Sequence, residues 1–134
     1  MAGPERPDAF ALMRAFRADQ GTLGEALALF VDRPDYGFIW LAYDDGVPAA
    51  CVSVAFGIST ERGGVSAQLS DIWVAADRRR RGIGSALIAT LHGRLDQLAV
   101  VQILAPIPDD ASLRGFFSAR GYADAGGTRF ILDR

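Results

Sequence analysis

The chain has 134 residues, half of them hydrophobic, with a formal net charge of −2 and one cysteine, Cys51. That length accommodates one domain with a core of its own, and a lone cysteine excludes an internal disulfide or a thiolate cluster for zinc, so no metal is expected. No apolar run approaches the roughly 18–20 residues that span a bilayer, the first eight residues lack the basic and apolar regions of a signal peptide, and the mild negative charge draws no nucleic acid.

The cytoplasm is therefore the expected compartment, with residues 1–7 loosely ordered and no membrane or nucleic-acid partner. All fourteen basic residues are arginine, which removes lysine-dependent P-loop and Schiff-base chemistry. Four of them stand together at Arg78, Arg79, Arg80 and Arg81. A nucleic-acid reading of that cluster fails because phosphate-tracking arginines spread along a face within an overall positive field.

Residues 8–18 carry Phe10, Leu12, Met13 and Phe16 at helical spacing, and residues 23–31 repeat the pattern with Thr22 as N-cap. Residues 38–43 then read as a strand that turns at Asp44-Asp45-Gly46 into a longer strand, 49–58. A turn over residues 60–64 leads into a third antiparallel strand, 66–75. A helix starting near Ser85 places Leu87, Leu91 and Leu95 on one face. Residues 98–105 form a buried strand lying parallel to 66–75, because a helix separates the two. Asp109 or Asp110 caps a helix to about Ala119, Gly121 stops it, and residues 122–124 and 128–133 close a hairpin around Gly126-Gly127. The fold class is α/β (α+β): a mixed, mostly antiparallel sheet with a central parallel strand pair and helices on both faces.

The most informative stretch is residues 69–91, a strand, an arginine-glycine turn and a helix in succession. Gly82 and Gly84 let a ligand approach the backbone, and the following helix directs its unpaired N–H groups and positive dipole end to the same place. An anion is expected there. A dinucleotide fold would want a third glycine where Leu87 stands, and a P-loop would want Gly-Lys-Ser.

Arg79-Arg80-Arg81-Gly82-Ile83-Gly84 meets the Arg/Gln-x-x-Gly-x-Gly/Ala signature of the GCN5-related N-acetyltransferases, and the chain resembles that family over about residues 22–133. Residues 71–78 are similar to its Glu-Leu-Tyr-Val-x-Pro-Glu-x. The run from Asp109 to Tyr122 is similar to its Asn-x-x-Ala-x-x-x-Tyr-x-x-x-Gly-Phe. The family usually opens with a strand, which residues 1–7 make poorly, so that element is expected to be missing or degraded.

The resemblance implies transfer of an acetyl group from acetyl-CoA, the acyl-donor cosubstrate, to the amino group of a small molecule or a protein. It places the diphosphate on Arg79, Arg80, Arg81, Gly82, Ile83, Gly84 and Ser85, and the pantetheine arm along Ile72, Trp73 and Val74. The Val74 N–H polarises the thioester carbonyl. Asp71 stands where relatives commonly carry a glutamate and is the expected catalytic base, working through water. Its plainer alternative is a hydrogen bond that holds a neighbouring strand.

Strand alternation puts Asp71 on the face of Leu69 and Trp73. Asp110 either contacts pantetheine or caps its helix. Phe117, at the cofactor, replaces the tyrosine that protonates the departing thiolate in many relatives. That replacement supports a second reading, an acyl-CoA-binding sensor or partner-binding module without catalysis. Cys51 is expected to be a buried, inert thiol, His92 a surface or partly packed side chain, and Tyr36, Phe38 and Trp40 core aromatics. Assembly as a homodimer is left open.

Overall fold

The computed structural model describes residues 6–16, 23–79, 82–107, 110–127 and 130–133. In chain order these form helices α1 (Arg6–Phe16) and α2 (Leu23–Asp32), strands β1 (Gly37–Asp44), β2 (Val47–Ser59) and β3 (Gly64–Val74), a short 3-10 turn (Ala76–Arg78), α3 (Ile83–Gln97), β4 (Gln102–Leu104) and α4 (Ala111–Ser118). Arg6 and Pro7, expected to be loose, make the first turn of α1, where proline's fixed φ is tolerated. The expected cap Thr22 lies outside the described residues.

The sheet runs β1-β2-β3-β4. β1, β2 and β3 are antiparallel neighbours, and β4 joins β3 in parallel with α3 as the crossover. The β1–β2 connection has Asp45 at φ 52° and Gly46 at φ 78°. Two positive φ values in succession match the twist of a tight hairpin, which explains Asp-Gly there.

The period-two alternation of the strands divides the core between two faces. Ala50, Val52 and Val54 of β2 and Ala67 and Leu69 of β3 pack with Leu87, Ile88, Leu91 and Leu95 of α3 and with Phe117 of α4. Cys51 of β2 and Ile39 of β1 pack instead under Ala9, Leu12 and Met13 of α1 and Leu23 and Leu27 of α2. Each fully buried leucine among these contributes about 1.5–3 kcal/mol, so the α3 stripe anchors that helix and fixes where its N-terminus ends up.

Three expectations are corrected. β4 is three residues, because Ala99 takes φ 58° in a turn after α3 and the strand begins only at Gln102. The closing hairpin is not seen among the described residues: 122–127 and 130–133 contain no strand. Gly126 and Gly127 do adopt positive φ, yet Phe130 is 92% exposed, so a turn is available without a buried face to hold strands. Tyr36 is exposed rather than core, its ring 4.2 Å beneath the Arg33 guanidinium, while Phe38 and Trp40 pack against the α3 side.

Candidate active site

β3 pairs with β4 only through Ser66, Ala67 and Gln68. Beyond Gln68 it continues to Val74 paired, among the described residues, with β2 alone; the stretch over which the two parallel strands no longer pair is the candidate cleft. The β2–β3 ladder slips in the same region: Ser53 faces Ser70 and Cys51 faces Trp73, leaving one extra residue on β3. Asp71 lies in this bulge at φ 50°. A left-handed non-glycine residue costs about 1–2 kcal/mol, and such strain concentrates where a side chain must be re-aimed.

The bulge overturns the expected face of Asp71. Leu69 packs into the α3 core, whereas Asp71 shares the α1–α2 face with Ser53, whose Oγ lies 3.0 Å from its Oδ2, and with Trp73. The neighbouring Cys51 Sγ is 3.7 Å from the Asp71 carbonyl oxygen. Burial, and after it the Asp71 charge, push the Cys51 thiol up to about 12, so this buried sulfur stays protonated and inert.

Past the bulge the ladder resumes. Ala75 N–H donates to Ala49 O at 2.8 Å, which makes Val74 opposite Ala50 the alternate position whose polar groups turn away from β2. The Val74 carbonyl accepts from Arg79 Nε on that side at 3.1 Å, and its N–H points the same way, into the cleft. Ile72 and Val74 rest their side chains on the α3 core, as does Ile83.

α3 begins at Ile83, two residues before its expected start, because Gly82 takes φ 76° and serves as N-cap. Among the described residues no side-chain cap bond closes this end. The contrast with α4 is informative: there Asp110 Oδ1 accepts from the N–H of Ser112 at 2.8 Å and of Leu113 at 3.2 Å. One helix start is closed by its own sequence; at the other, no side-chain cap bond from a described residue takes the first N–H groups, the condition under which a helix N-terminus binds a diphosphate. The residues present fit coenzyme A in this respect.

The arginines divide. Arg78 is structural, its Nη1 2.6 Å from Asp44 Oδ2 in the β1–β2 turn, and Arg79 braces the end of β3. Arg80 and Arg81 lie outside the described residues. Sequence reasoning missed Arg120, just beyond α4: its guanidinium stacks 3.6 Å from the Phe116 ring centroid, donates to Phe116 O at 2.7 Å and hydrogen-bonds Ser85 Oγ on the first turn of α3. A cation held at a helix N-terminus opposes the macrodipole and strengthens the pull on an anion. No local sequence pattern marks it, since the contact spans two helices.

Phe117 is 3% exposed, within the core, edge-on to Phe116 and Tyr122. Its ring carries no acidic proton. The Tyr122 hydroxyl is engaged at 2.7 Å with His92 Nε2, and burial raises its pKa. An apolar hollow of about 640 Å³ lined by Phe56, Ile58, Val65 and Leu98 lies at the opposite end of β2 and β3 from Val74. Among the described residues no cluster of three metal-ligating side chains occurs, and no helix is long and apolar enough to cross a membrane.

The fold class is α+β, a mixed four-stranded sheet with one parallel pair, β3 and β4, joined through α3. Residues 8–122 match the model of the acetyltransferase (GNAT) family, and the chain belongs to that family. Its fold is shared with a ribosomal-protein-alanine N-acetyltransferase from Brucella melitensis biovar Abortus 2308, at 18% identity, TM-score 0.80 and coverage of 100% of this chain and 96% of that one. An aminoglycoside acetyltransferase from an uncultured soil metagenomic sample, in complex with sisomicin, gives 17% identity, TM-score 0.84 and coverage of 100% and 93%. An aminoglycoside N-acetyltransferase in complex with CoA gives 17% identity, TM-score 0.76 and coverage of 100% and 96%. No curated protein sequence matches the chain.

Proposed function

We propose that this acetyltransferase moves an acetyl group from acetyl-CoA to the amino group of a small molecule or protein, with Asp71 as general base. The observation that carries the reading is the position of Asp71 on a strained bulge in the strand that borders the cleft, on the approach to the open end of α3.

The backbone from Gly82 to Ser85, with Arg79, Arg80 and Arg81 adding charge, holds the diphosphate. The edge of β3 at Ile72, Trp73 and Val74 receives the pantetheine amides as an added strand would be received. The Val74 N–H stabilises the negative charge that develops on the thioester oxygen. An amine attacks only when neutral, and Asp71, whose short arm favours a bridging water, removes its proton. Water protonates the departing thiolate, since Phe117 has no proton to give. Asp110 acts as a helix cap, for which its two hydrogen bonds suffice.

Acetyl-CoA offered with a polyamine, an aminoglycoside and a peptide with a free N-terminal alanine, and read by release of free thiol, tests the reading. Asp71→Asn should slow turnover by about 100-fold or more while leaving coenzyme A binding intact. Turnover of no amine, or an unchanged rate in Asp71→Asn, contradicts it. The buried Phe117 favours the second reading, a binding module without catalysis, in which coenzyme A binds and no amine is acetylated.

A further inference from the structure

β2 is apolar through its centre. Ala49, Ala50, Cys51, Val52 and Val54 are fully buried, and among them stands Ser53, a hydroxyl only 4% exposed. A buried hydroxyl in a central strand needs partners. Ser53 Oγ lies 2.7 Å from Ser70 Oγ, 3.0 Å from the Ser70 carbonyl oxygen and 3.0 Å from Asp71 Oδ2. It has one proton and cannot donate to all of them at once.

The alternatives correspond to the two protonation states of Asp71. With the carboxylate ionised, the Ser53 hydroxyl donates to Oδ2 and accepts from the Ser70 hydroxyl. With Asp71 protonated, the carboxyl donates to Ser53 Oγ, whose own proton turns to the Ser70 carbonyl. No heavy atom moves between the two arrangements, and each leaves every donor with an acceptor.

We infer that Ser53 is the positioning residue for Asp71, a rotating hydroxyl that fixes the carboxylate on the β3 bulge and satisfies it both before and after it takes a proton. The inference rests on the acetyltransferase reading. In the proton balance, the proton leaves the acceptor nitrogen, resides on Asp71 and returns to water, while Ser53 ends with the proton it began with. The β3 bulge is what makes the arrangement available. It lets Ser70 and Asp71, consecutive residues that alternation would send to opposite faces, both meet the Ser53 hydroxyl.

The test is steady-state kinetics with acetyl-CoA and the amine of the above panel that the wild type acetylates fastest, alongside calorimetry with coenzyme A and thermal denaturation. Ser53→Ala is expected to lower kcat by ~10- to 100-fold, as loss of a hydrogen bond to a charged group does. Its coenzyme A affinity should stay within about twofold of wild type. Ser53→Thr restores the hydroxyl and should recover kcat to within about fivefold. Ser70→Ala leaves the Ser53–Asp71 bond in place and should also stay within about fivefold, which keeps the test sharp if threonine does not fit.

A serine that merely filled the core would move the melting temperature and not kcat, so a folded Ser53→Ala with wild-type kcat overturns the inference. If Ser53→Ala keeps wild-type kcat while Asp71→Asn is slow, only the role of Ser53 falls. If Asp71→Asn itself turns over normally, the assignment of Asp71 falls and takes this one with it.

Discussion

The two glycines of the arginine-glycine turn should respond oppositely to the same substitution. At Gly82 an added Cβ meets nothing within 4 Å, but φ is +76°, so alanine there bears only the left-handed backbone penalty of about 1–2 kcal/mol. At Gly84 an added Cβ stands 3.7 Å from Val74 Cγ2 and 3.8 Å from the Phe116 ring, an ordinary packing distance, in a helical backbone that favours alanine over glycine. Gly82→Ala relieves its strain by turning the first N–H groups of α3 away from the cleft. If the whole penalty appears in binding, coenzyme A affinity falls by about 5- to 30-fold. Gly84→Ala should bind within about twofold of wild type. Titration calorimetry with coenzyme A reads both variants, with thermal denaturation to confirm folding. A Gly82→Ala protein that binds like wild type refutes the assignment of the diphosphate to this helix start.

Three further outcomes are expected. Asp110→Ala removes both cap bonds of α4 and should cost about 0.5–2 kcal/mol in chemical denaturation with kcat unchanged; a selective fall in coenzyme A affinity would instead assign Asp110 to the pantetheine. Gly37→Ala should destabilise by about 3 kcal/mol, because its Cβ would stand 1.9 Å from the Val54 carbonyl oxygen at φ +149°; an unaltered melting temperature would refute the tight β1–β2 approach. Cys51 should resist a thiol reagent at pH 8 in the native protein and react once denatured, since its folded pKa is raised from 9.0 to about 12. The folded state then holds a proton that the unfolded chain releases, so this contribution to stability is complete below pH 9 and is lost as pH rises towards 12.

Local chemistry explains what could be read from the chain alone. The α3 stripe, the Asp-Gly hairpin and the Asp110 cap each depend on residues close in sequence, and each occurs as expected, whereas α3 starts at Ile83 rather than near Ser85 because Gly82 takes the cap position. The face of Asp71 departs from strand alternation because a bulge adds one residue and inverts the alternation after it, and Asp71 itself bears no mark of positive φ. Ser53 and Arg120 acquire their meaning from partners on other elements: a bulged neighbouring strand for one, the first turn of α3 for the other. The C-terminal residues carry turn glycines and a short apolar run, yet Phe130, Ile131 and Leu132 stay exposed, since an apolar run without a surface to cover does not fix a strand.

A crystal structure of the chain with coenzyme A tests the central claim most directly. The account predicts the diphosphate within hydrogen-bonding distance of the backbone N–H groups from Gly82 to Ser85, and the sulfur between β3 and β4 within reach of the Val74 N–H. A coenzyme bound elsewhere, with the α3 N-terminus closed by the protein's own side chains, contradicts it.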